Sequence, residues 1–283
     1  MVKTESRLTE LKEIAASVRK LILETVHYAK AGHVGGPLSA TDMLVTLYYE
    51  VMNIRPKQPL WEERDRFVLS KGHSALALYS VMAHRGYLSK DEMKTFDKID
   101  SRLQAHPDMN VLPGLDMSTG SLGQGISAAV GMALAAKLTG KDFTTYCMVG
   151  DGEIQEGQVW EAAEIACRYK LDNLIVLMDY NKLQQYGWAA KDNKRDVPVH
   201  RPERKWEAFG WNVLTIDGHN FDEIIEACRW AKEKKGKPSV IVANTVKGKG
   251  VSFMENAYLW HSNIPTDQEL EQALRELNFE VNG

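Results

Sequence analysis

The chain has 283 residues, of which 44% are hydrophobic and 26% are charged, and its formal net charge is −3 at pH 7. This balance is typical of a globular protein with a sizeable core, and it excludes a disordered chain, a collagen-like repeat and a disulfide scaffold. The slightly acidic charge provides no global basic field, so we expect no nucleic-acid partner. At roughly 150 residues per domain, the length allows one large α/β domain or two small ones.

The apolar segments and the cysteines favour a cytoplasmic protein. The longest strongly apolar run, from Leu174 to Met178, is far too short to span a bilayer, and the polar amino terminus is unlike a secretory signal. The three cysteines, Cys147, Cys167 and Cys228, are odd in number and lack the spacing of metal ligands. We therefore expect buried thiols in a reducing cytoplasm and no membrane partner.

The hydrophobic pattern predicts helices first and then alternating strands and helices. An amphipathic helix over 7–31 ends at Gly32, and a second helix starts at a capping box of Ser39 and Asp42 and runs to about Glu50. The later predicted elements are a strand over 67–69, helices over 74–85 and 124–138, a strand over 143–149, a helix over 156–169, a strand over 173–179, a long loop over 182–205, a strand over 211–217, a helix over 221–235, a strand over 238–245 and a short helix within 266–283. This alternation predicts an α/β fold with a mostly parallel sheet, helices on both faces and N-terminal helices before it.

Four of the predicted strands end in polar residues, and at three of these ends the polar residues are flanked by glycine. The four ends are Gly150-Asp151-Gly152, Asp179-Tyr180-Asn181, Asp217-Gly218-His219 and Val246-Lys247-Gly248-Lys249-Gly250. Because ligands of open parallel sheets bind at the carboxyl ends of the strands, we expect all four ends to form one rim with a binding site.

Asp151 and Asn181 are the sharpest pair at this rim. Their carboxylate and carboxamide oxygens suit Mg²⁺, with Ca²⁺ or Mn²⁺ as substitutes, completed by ligand phosphates and water. The glycines beside Asp151 permit close approach to the backbone, and a helix is predicted just beyond them, which suits phosphate. From Gly-Asp-Gly alone, a tight turn without a ligand is an equal alternative.

Two other glycine motifs do not indicate nucleotide binding. Gly123 to Ala128 satisfies the GxGxxA pattern of dinucleotide sites, but no β-branched strand precedes it and no acidic residue ends the following strand at the required offset, except Asp151. The KGKG sequence at 247–250 lacks the spacing and the Ser or Thr of a Walker motif.

Five segments in order resemble the signatures of the transketolase family. They are AGHVGGPLSATD (31–42), LSKGHSALALY (69–79), AHPDMNVLPGLDMSTGSLGQGISAAVGMA (105–133), GDGEIQEGQVWEAA (150–163) with Asn181 after it, and TVKGKGVSFMEN (245–256). The likeness covers roughly residues 10–261 and is greatest to the amino-terminal half of transketolase, in the form found as a separate chain. It implies a thiamine-diphosphate-binding fold, with 1–283 as one domain and 1–50 as its helical N-terminal extension.

The resemblance also implies a role for each matching residue. The implied metal ligands are Asp151, Asn181 and the backbone carbonyl of Leu183. The residues implied to bind the cofactor are His73, Gly120, Leu122, Gly150, Asp151, Gly152, Asn181, Lys247 and His261. The residues implied to be catalytic are His33 and His106, which would face the sugar, His261, which would lie near cofactor and substrate, and Glu156, in a carboxylate network at the subunit interface. We expect His27, His84 and His200 to be ordinary surface or core residues, and the role of His219 stays open.

The implied activity is transfer of a two-carbon ketol unit from a ketose phosphate to an aldose phosphate, dependent on thiamine diphosphate and Mg²⁺, as in the pentose phosphate pathway. No segment resembles the other half of the enzyme, which carries the activating glutamate, so we expect a companion C-terminal subunit in an α2β2 heterotetramer. Ala105, Ser262 and Asn263 depart from the glycines common in the family near the sugar. The alternatives are an unusual sugar phosphate, an α-subunit of a 2-oxo-acid enzyme and a non-catalytic binding protein.

Overall fold

The computed structural model describes residues 5–185 and 199–279. Within these residues the strands are β1 (Arg66–Leu69), β2 (Thr145–Gly150), β3 (Leu174–Tyr180), β4 (Asn212–Asp217) and β5 (Ser239–Asn244). The α-helices of the same residues are α1 (Glu5–Ala29), α2 (Gly35–Thr46), α3 (Ala75–Arg85), α4 (Gln124–Thr139), α5 (Gly157–Arg168), α6 (Pro202–Ala208), α7 (Phe221–Glu233) and α8 (Asp267–Glu276). The strands form one sheet in the order β1-β2-β3-β5-β4, and every neighbouring pair is parallel.

Alternate side chains of the sheet are buried in two separate apolar layers. In β2, Tyr146 and Met148 lie in one layer, and Cys147 and Val149 lie in the other. The first layer is closed by α1, α2, α3 and α7, and the second by α4, α5 and α6. Because successive strand residues point to opposite faces, apolar residues at both positions require cover on both sides. The predicted parallel sheet with helices on both faces, after N-terminal helices, is confirmed.

The N-terminal helices are part of the first apolar layer. Leu11, Val18, Ile22 and Leu23 of α1 have no exposed surface, and all twelve residues of α2 are buried. α1 packs against α2 and α3, and α2 also packs against α7. The treatment of 1–283 as one domain, with 1–50 as its extension, stays a prediction.

The first two helices begin and end at different residues from those predicted. α1 ends at Ala29 rather than at residue 31, because Lys30 already has the left-handed conformation (φ +53°) that ends a helix. α2 begins at Gly35, so the predicted capping box at Ser39 is wrong. Ser39 lies inside the helix, where its Oγ donates to the carbonyl of Gly36 at 2.9 Å and to Asp179 Oδ2 at 2.6 Å. A π-helical turn, Leu47–Val51, continues α2 to the predicted end.

The predicted loop over 182–205 contains the start of a helix. Residues 186–198 lie outside the described residues, and α6 begins at Pro202. Proline suits the first turn of a helix because its missing N–H has no partner there. Trp206 of α6 is completely buried and packs against the rings of Trp160 and Trp211, which anchors the helix to the second apolar layer.

The other predicted elements agree with the structure to within two residues at each end, except the C-terminal helix, because the segment 266–283 contains α8, which ends at Glu276. α4 follows a loop rather than a strand, which is consistent with the exclusion of a dinucleotide motif at Gly123. All three cysteines are free; Cys147 and Cys228 are buried as expected, whereas Cys167 is partly exposed. Among the described residues, none of the helices combines the length and the apolar character needed to cross a membrane.

Truncation of one buried side chain of α1 tests the contribution of this helix to the stability of the fold. Leu23 has no exposed surface, so we expect Leu23→Ala to lower the free energy of unfolding by about 2–5 kcal/mol, because it removes buried methyl groups and leaves a cavity. Leu60 is 70% exposed, so we expect Leu60→Ala to change the free energy of unfolding by less than about 0.5 kcal/mol. Urea unfolding measures both values, and equal effects would contradict the packing described for α1.

Candidate functional site

A cavity of about 560 Å³ lies at the carboxyl ends of β2, β3 and β5. The site residues named from the sequence all line it: His33, His73, His106, Gly120, Leu122, Gly150, Asp151, Gly152, Glu156, Asn181, Leu183, Lys247 and His261. Further lining residues, which sequence reasoning did not select, are Gly36, Lys71, Glu153, Gln155, Gln184 and Gln185. The structure therefore brings the predicted residues together, and their individual roles stay predictions.

One of the four predicted strand ends does not reach this cavity. Asp217, the last residue of β4, and His219, which follows the strand, line a separate cavity of about 330 Å³. β4 is at the edge of the sheet, beyond β5, and the order of strands in a sheet does not follow their order in the chain. The expectation that all four ends form one rim is therefore wrong for β4. The segment after β1 reaches the cavity instead, through Lys71 and His73.

Asp151 and Asn181 follow directly paired strands. Gly150 of β2 is in register with Asp179 of β3, so the next residues of both strands come to the same end of the sheet. Asp151 Oδ2 accepts from the N–H of Lys182 at 2.5 Å, and its Oδ1 accepts from the N–H of Gly152 at 2.8 Å. The Lys182 bond holds the turn after β3 against the turn after β2, and the Gly152 bond lies within the turn after β2.

The residues that the structure describes do not fully compensate the charge of Asp151. Burial raises the pKa of this carboxyl to about 7, and the neighbouring Asp179 adds to the rise. The described residues contain no cluster of three His, Cys, Asp or Glu side chains that could enclose a metal ion. Asp151, the Asn181 amide and the Leu183 carbonyl instead fit Mg²⁺, which keeps several waters and takes phosphate oxygens as its other ligands. This donor set fits a Mg²⁺-diphosphate group.

Asp179 forms a buried polar centre beneath the cavity. Its carboxylate has no exposed surface and accepts from Lys71 Nζ, from Thr245 Oγ1 and, at 2.6 Å, from Ser39 Oγ. Burial acts to raise the pKa of Asp179, but the charge of Lys71 and these hydrogen bonds outweigh it, so the pKa is lowered. Sequence reasoning placed Asp179 at the rim and did not select Lys71, because no local pattern marks an ion pair across 108 residues.

Glu153 is a second buried carboxylate that joins loops of the site. Its Oε1 accepts from Ser70 Oγ at 2.5 Å and from the N–H of Gly123 at 2.9 Å, and its Oε2 accepts from the N–H of Gly150 at 3.0 Å. Burial raises its pKa. The side chain thus connects the segment after β1, the start of α4 and the end of β2. Its place in the GDGE sequence was the available signal for this role.

Four histidines from separate segments cluster in the cavity. The ring centroid of His33 lies 5.3 Å from that of His73, 6.3 Å from that of His106 and 5.1 Å from that of His261. Lys247 Nζ donates to His261 Nδ1 at 2.8 Å and to the carbonyl of Leu183 at 3.4 Å. Among the described residues, no group bonds to the buried Nδ1 of His33.

Burial and nearby cations keep three of these imidazoles neutral. Burial lowers the pKa of His33 to about 4, with further lowering by His106, Lys247 and Lys71. Burial, Lys247 and His33 lower the pKa of His261 to about 3, and burial and Lys71 hold the pKa of His73 well below its usual value. A neutral imidazole keeps one nitrogen free to accept a hydrogen bond or a proton at neutral pH.

Glycine allows two of the loops to touch. A Cβ on Gly72 would lie 2.7 Å from the backbone nitrogen of Gly120, so the SKGH and STGS loops meet backbone to backbone. Gly120 has φ +153°, and a side chain there would press on the ring of His106 at 3.1 Å. Next to Gly152, the buried Nε2 of Gln184 has no hydrogen-bond partner within the described residues, so it is a free donor at the cavity wall.

One side of the cavity is open. His106, Gln155 and Glu156 are exposed at its rim. The predicted carboxylate network around Glu156 at the subunit interface stays a prediction.

The remaining histidines lie outside the cavity. His27 contacts Asp267, His84 contacts Tyr49 and His219 contacts Asp42. The interpretation of His27, His84 and His200 as residues outside the site is consistent with this placement.

Comparison with known proteins identifies the family. The family model for the thiamine diphosphate binding domain of transketolase matches residues 11–282. A 6-deoxy-6-sulfo-D-fructose transketolase subunit from Clostridium sp. (strain MSTE9) is 47% identical over 271 residues, which cover 96% of this chain and 97% of that protein. An apulose-4-phosphate transketolase subunit from Phocaeicola vulgatus is 41% identical, over 93% of this chain and 92% of its own.

A solved structure shares the fold. Transketolase from Campylobacter jejuni aligns with a TM-score of 0.88 and 35% sequence identity, over 95% of this chain and 43% of that longer chain. The cavity at the carboxyl ends of the strands, the match over 11–282 and these two relatives agree. The chain therefore belongs to the transketolase family, in which it corresponds to the thiamine-diphosphate-binding domain.

Proposed function

We propose that this chain is the cofactor-binding subunit of a two-chain transketolase that moves a two-carbon ketol unit between sugars. The observation that carries the proposal is the single cavity that combines three oxygen ligands, Lys247 and four histidines. Those groups match the three parts of the reaction, which are a metal-bound diphosphate, proton movement and sugar hydroxyls.

The Mg²⁺-diphosphate group would be held mainly by residues at the carboxyl ends of β2 and β3 and in the loop after β5. Asp151, Asn181 and the Leu183 carbonyl would bind the metal, and Ca²⁺ or Mn²⁺ could replace it because both accept oxygen ligands. Gly150 and Gly152 leave the backbone open to the diphosphate, and His73 and Lys247 would donate to its oxygens. Gly120 and Leu122 would present backbone groups to the aminopyrimidine.

When bound, thiamine diphosphate supplies the electron sink that cleavage beside a ketose carbonyl requires and that no side chain provides. The chain's own residues position the sugar and move protons. His33 and His106 would hold the sugar carbonyl and hydroxyls. His261, whose Nδ1 accepts from Lys247, would keep its proton on Nε2 and donate from there. Neutral imidazoles suit both tasks near pH 7.

A companion subunit would close the open side of the cavity. Two full-length relatives carry the word subunit in their names, and His106, Gln155 and Glu156 are exposed on this side. We propose an α2β2 heterotetramer in which the companion supplies the group that activates the aminopyrimidine and meets Glu156 at the interface. Free, mainly buried thiols support a cytoplasmic location.

The names of the relatives also bear on which donor sugar the enzyme uses. One candidate donor is a common sugar phosphate, as in the pentose phosphate pathway. The 47% identity to the sulfofructose transketolase subunit supports a second candidate, a donor of unusual structure. Fructose 6-phosphate and 6-deoxy-6-sulfofructose are a matched pair, because only the anionic group at C6 differs. Ala105, Ser262 and Asn263, near the sugar-facing histidines, are the positions of this chain at which specificity could differ.

Reconstitution tests the proposed activity. We expect the purified chain, mixed with the product of its neighbouring gene, thiamine diphosphate and Mg²⁺, to transfer a ketol unit from one of these two donors to an aldose phosphate. The chain alone should have no activity, because the companion completes the site. Activity of the isolated chain would contradict the two-chain proposal, and turnover of a 2-oxo acid without ketose turnover would contradict ketol transfer.

Removal of one carboxylate tests the metal site. We expect Asp151→Ala to abolish Mg²⁺-dependent binding of thiamine diphosphate to the reconstituted complex, because the remaining protein ligands are neutral oxygens. The matched control is Asp91→Ala, since the Asp91 side chain is 89% exposed and lies outside the cavity. Isothermal titration calorimetry gives both affinities, and an unchanged affinity in Asp151→Ala would refute the metal assignment.

The pH dependence of stability tests the neutral state of His33. Its pKa is about 4 in the folded chain and 6.5 without perturbation, so between these values the unfolded chain binds the proton and the folded chain does not. The contribution of His33 to the free energy of unfolding is therefore complete above about pH 6.5, and it decreases as the pH falls towards about 4. We expect His33→Asn to lose less free energy of unfolding than the parent chain between these pH values in urea titrations. Parallel pH profiles would show that His33 is protonated equally in both states.

A further inference from the structure

A buried polar chain connects the N-terminal helices to the loop that carries Lys247. Arg19 of α1 donates from both terminal nitrogens to the carboxylate of Asp42 in α2, at 2.9 and 2.7 Å. Asp42 Oδ2 lies 2.7 Å from His219 Nδ1, and His219 Nε2 accepts from the N–H of Val246 at 2.8 Å. Val246 is the residue before Lys247.

The partners of His219 define its tautomer. The Val246 N–H can only donate, so Nε2 of His219 carries no proton, and the single proton of the neutral ring lies on Nδ1. Asp42 is the matching acceptor for that proton. Burial acts to raise the pKa of Asp42, but Arg19 and the His219 hydrogen bond outweigh it and lower the pKa to about 2, so the carboxylate is ionised.

The same chain also contacts the far end of the loop. A Cβ on Gly250 would lie 3.1 Å from Cδ of Arg19, so the guanidinium stem packs directly against the loop backbone. Between these contacts, the N–H of Gly248 donates to the carbonyl of Gly35 at 3.0 Å. α2 carries Gly35 at its start and Asp42 about two turns later. This one helix therefore supports the loop at Gly248, through Gly35, and at Val246, through Asp42 and His219.

We propose that His219 is a positioning residue for diphosphate binding: held by Asp42 as the Nδ1-protonated tautomer, it fixes the Val246 N–H and thereby the entry of Lys247 into the cavity. His219 itself lines the separate cavity beside β4 and does not touch the diphosphate site. Adjacent α-carbons are about 3.8 Å apart across a rigid peptide, so a displaced Val246 displaces Lys247. This inference rests on the proposed function, because a bound diphosphate gives the position of Lys247 its chemical consequence.

Three variants of the full chain test the proposal. His219→Leu keeps much of the volume and removes both polar contacts, whereas His219→Gln keeps an acceptor for Val246 and a donor for Asp42. His27→Leu is the matched control, because His27 also contacts a carboxylate, Asp267, at 2.8 Å, and it lies eight residues beyond Arg19 along α1. Hydrogen exchange followed by mass spectrometry reports the protection of residues 245–250, and calorimetry with inorganic pyrophosphate and Mg²⁺ reports the anion affinity.

In His219→Leu we expect amide exchange in 245–250 to accelerate and the dissociation constant for pyrophosphate to rise, each about tenfold, the effect of one lost hydrogen bond. His219→Gln should restore both within about threefold, which a loss of packing alone would not do. His27→Leu should change neither quantity. Unchanged exchange and affinity in His219→Leu, or equal losses in the Leu and Gln variants, would overturn the proposal.

The tautomer gives a test that does not depend on a folded Leu variant. Nitrogen-15 NMR of histidine in the parent chain, assigned with His219→Gln, should show His219 protonated at Nδ1 and unprotonated at Nε2. The opposite tautomer would overturn the proposal. If the parent chain binds no pyrophosphate and its reconstituted complex binds no thiamine diphosphate, the proposed function fails, while the exchange and NMR results still decide the role of His219.

Discussion

The ion pair between Asp179 and Lys71 is the interaction on which the site depends. Two opposite charges with almost no exposed surface are stable only when each is paired and hydrogen-bonded, because burial of an isolated charge costs several kcal/mol or more. Lys71 belongs to the loop that carries His73, and the other donors to Asp179 are Ser39 of α2 and Thr245 before the Lys247 loop. One carboxylate at the end of β3 therefore joins three segments that each supply a residue to the cavity.

This arrangement also sets the electrostatics of the cavity. Lys71 and Lys247 lie near three partly buried histidines and help to keep them unprotonated, since a cation opposes a second positive charge nearby. Because both lysines lower the pKa values of these histidines, the imidazoles remain free to accept a hydrogen bond or a proton. Asp151 is buried beside Asp179, and burial, with added repulsion from Asp179, raises the pKa of Asp151. A cation between carboxylate and diphosphate would relieve that repulsion.

Sequence reasoning was most accurate where a feature is local. The strands and most helices were predicted to within two residues, because apolar periodicity and glycine or proline at the ends are properties of neighbouring residues. It failed at α2, where the proposed cap Ser39 bonds to Asp179 across 140 residues of chain. It also failed for β4, whose position at the sheet edge moves His219 to another cavity. Strand order and long-range hydrogen bonds have no signature within a single segment.

The sequence by itself determined the fold class, the family and thirteen of the nineteen residues that line the cavity, because these depend on motifs whose order and spacing are visible in the chain. Only the tertiary structure decided which groups support those residues. Lys71, Glu153, Asp179 and the Arg19–Asp42–His219 chain are ordinary polar residues in the sequence, and their chemistry arises from burial beside partners that are distant in the chain. The physical reason is that the pKa values and hydrogen bonds of buried groups depend on what surrounds them in three dimensions.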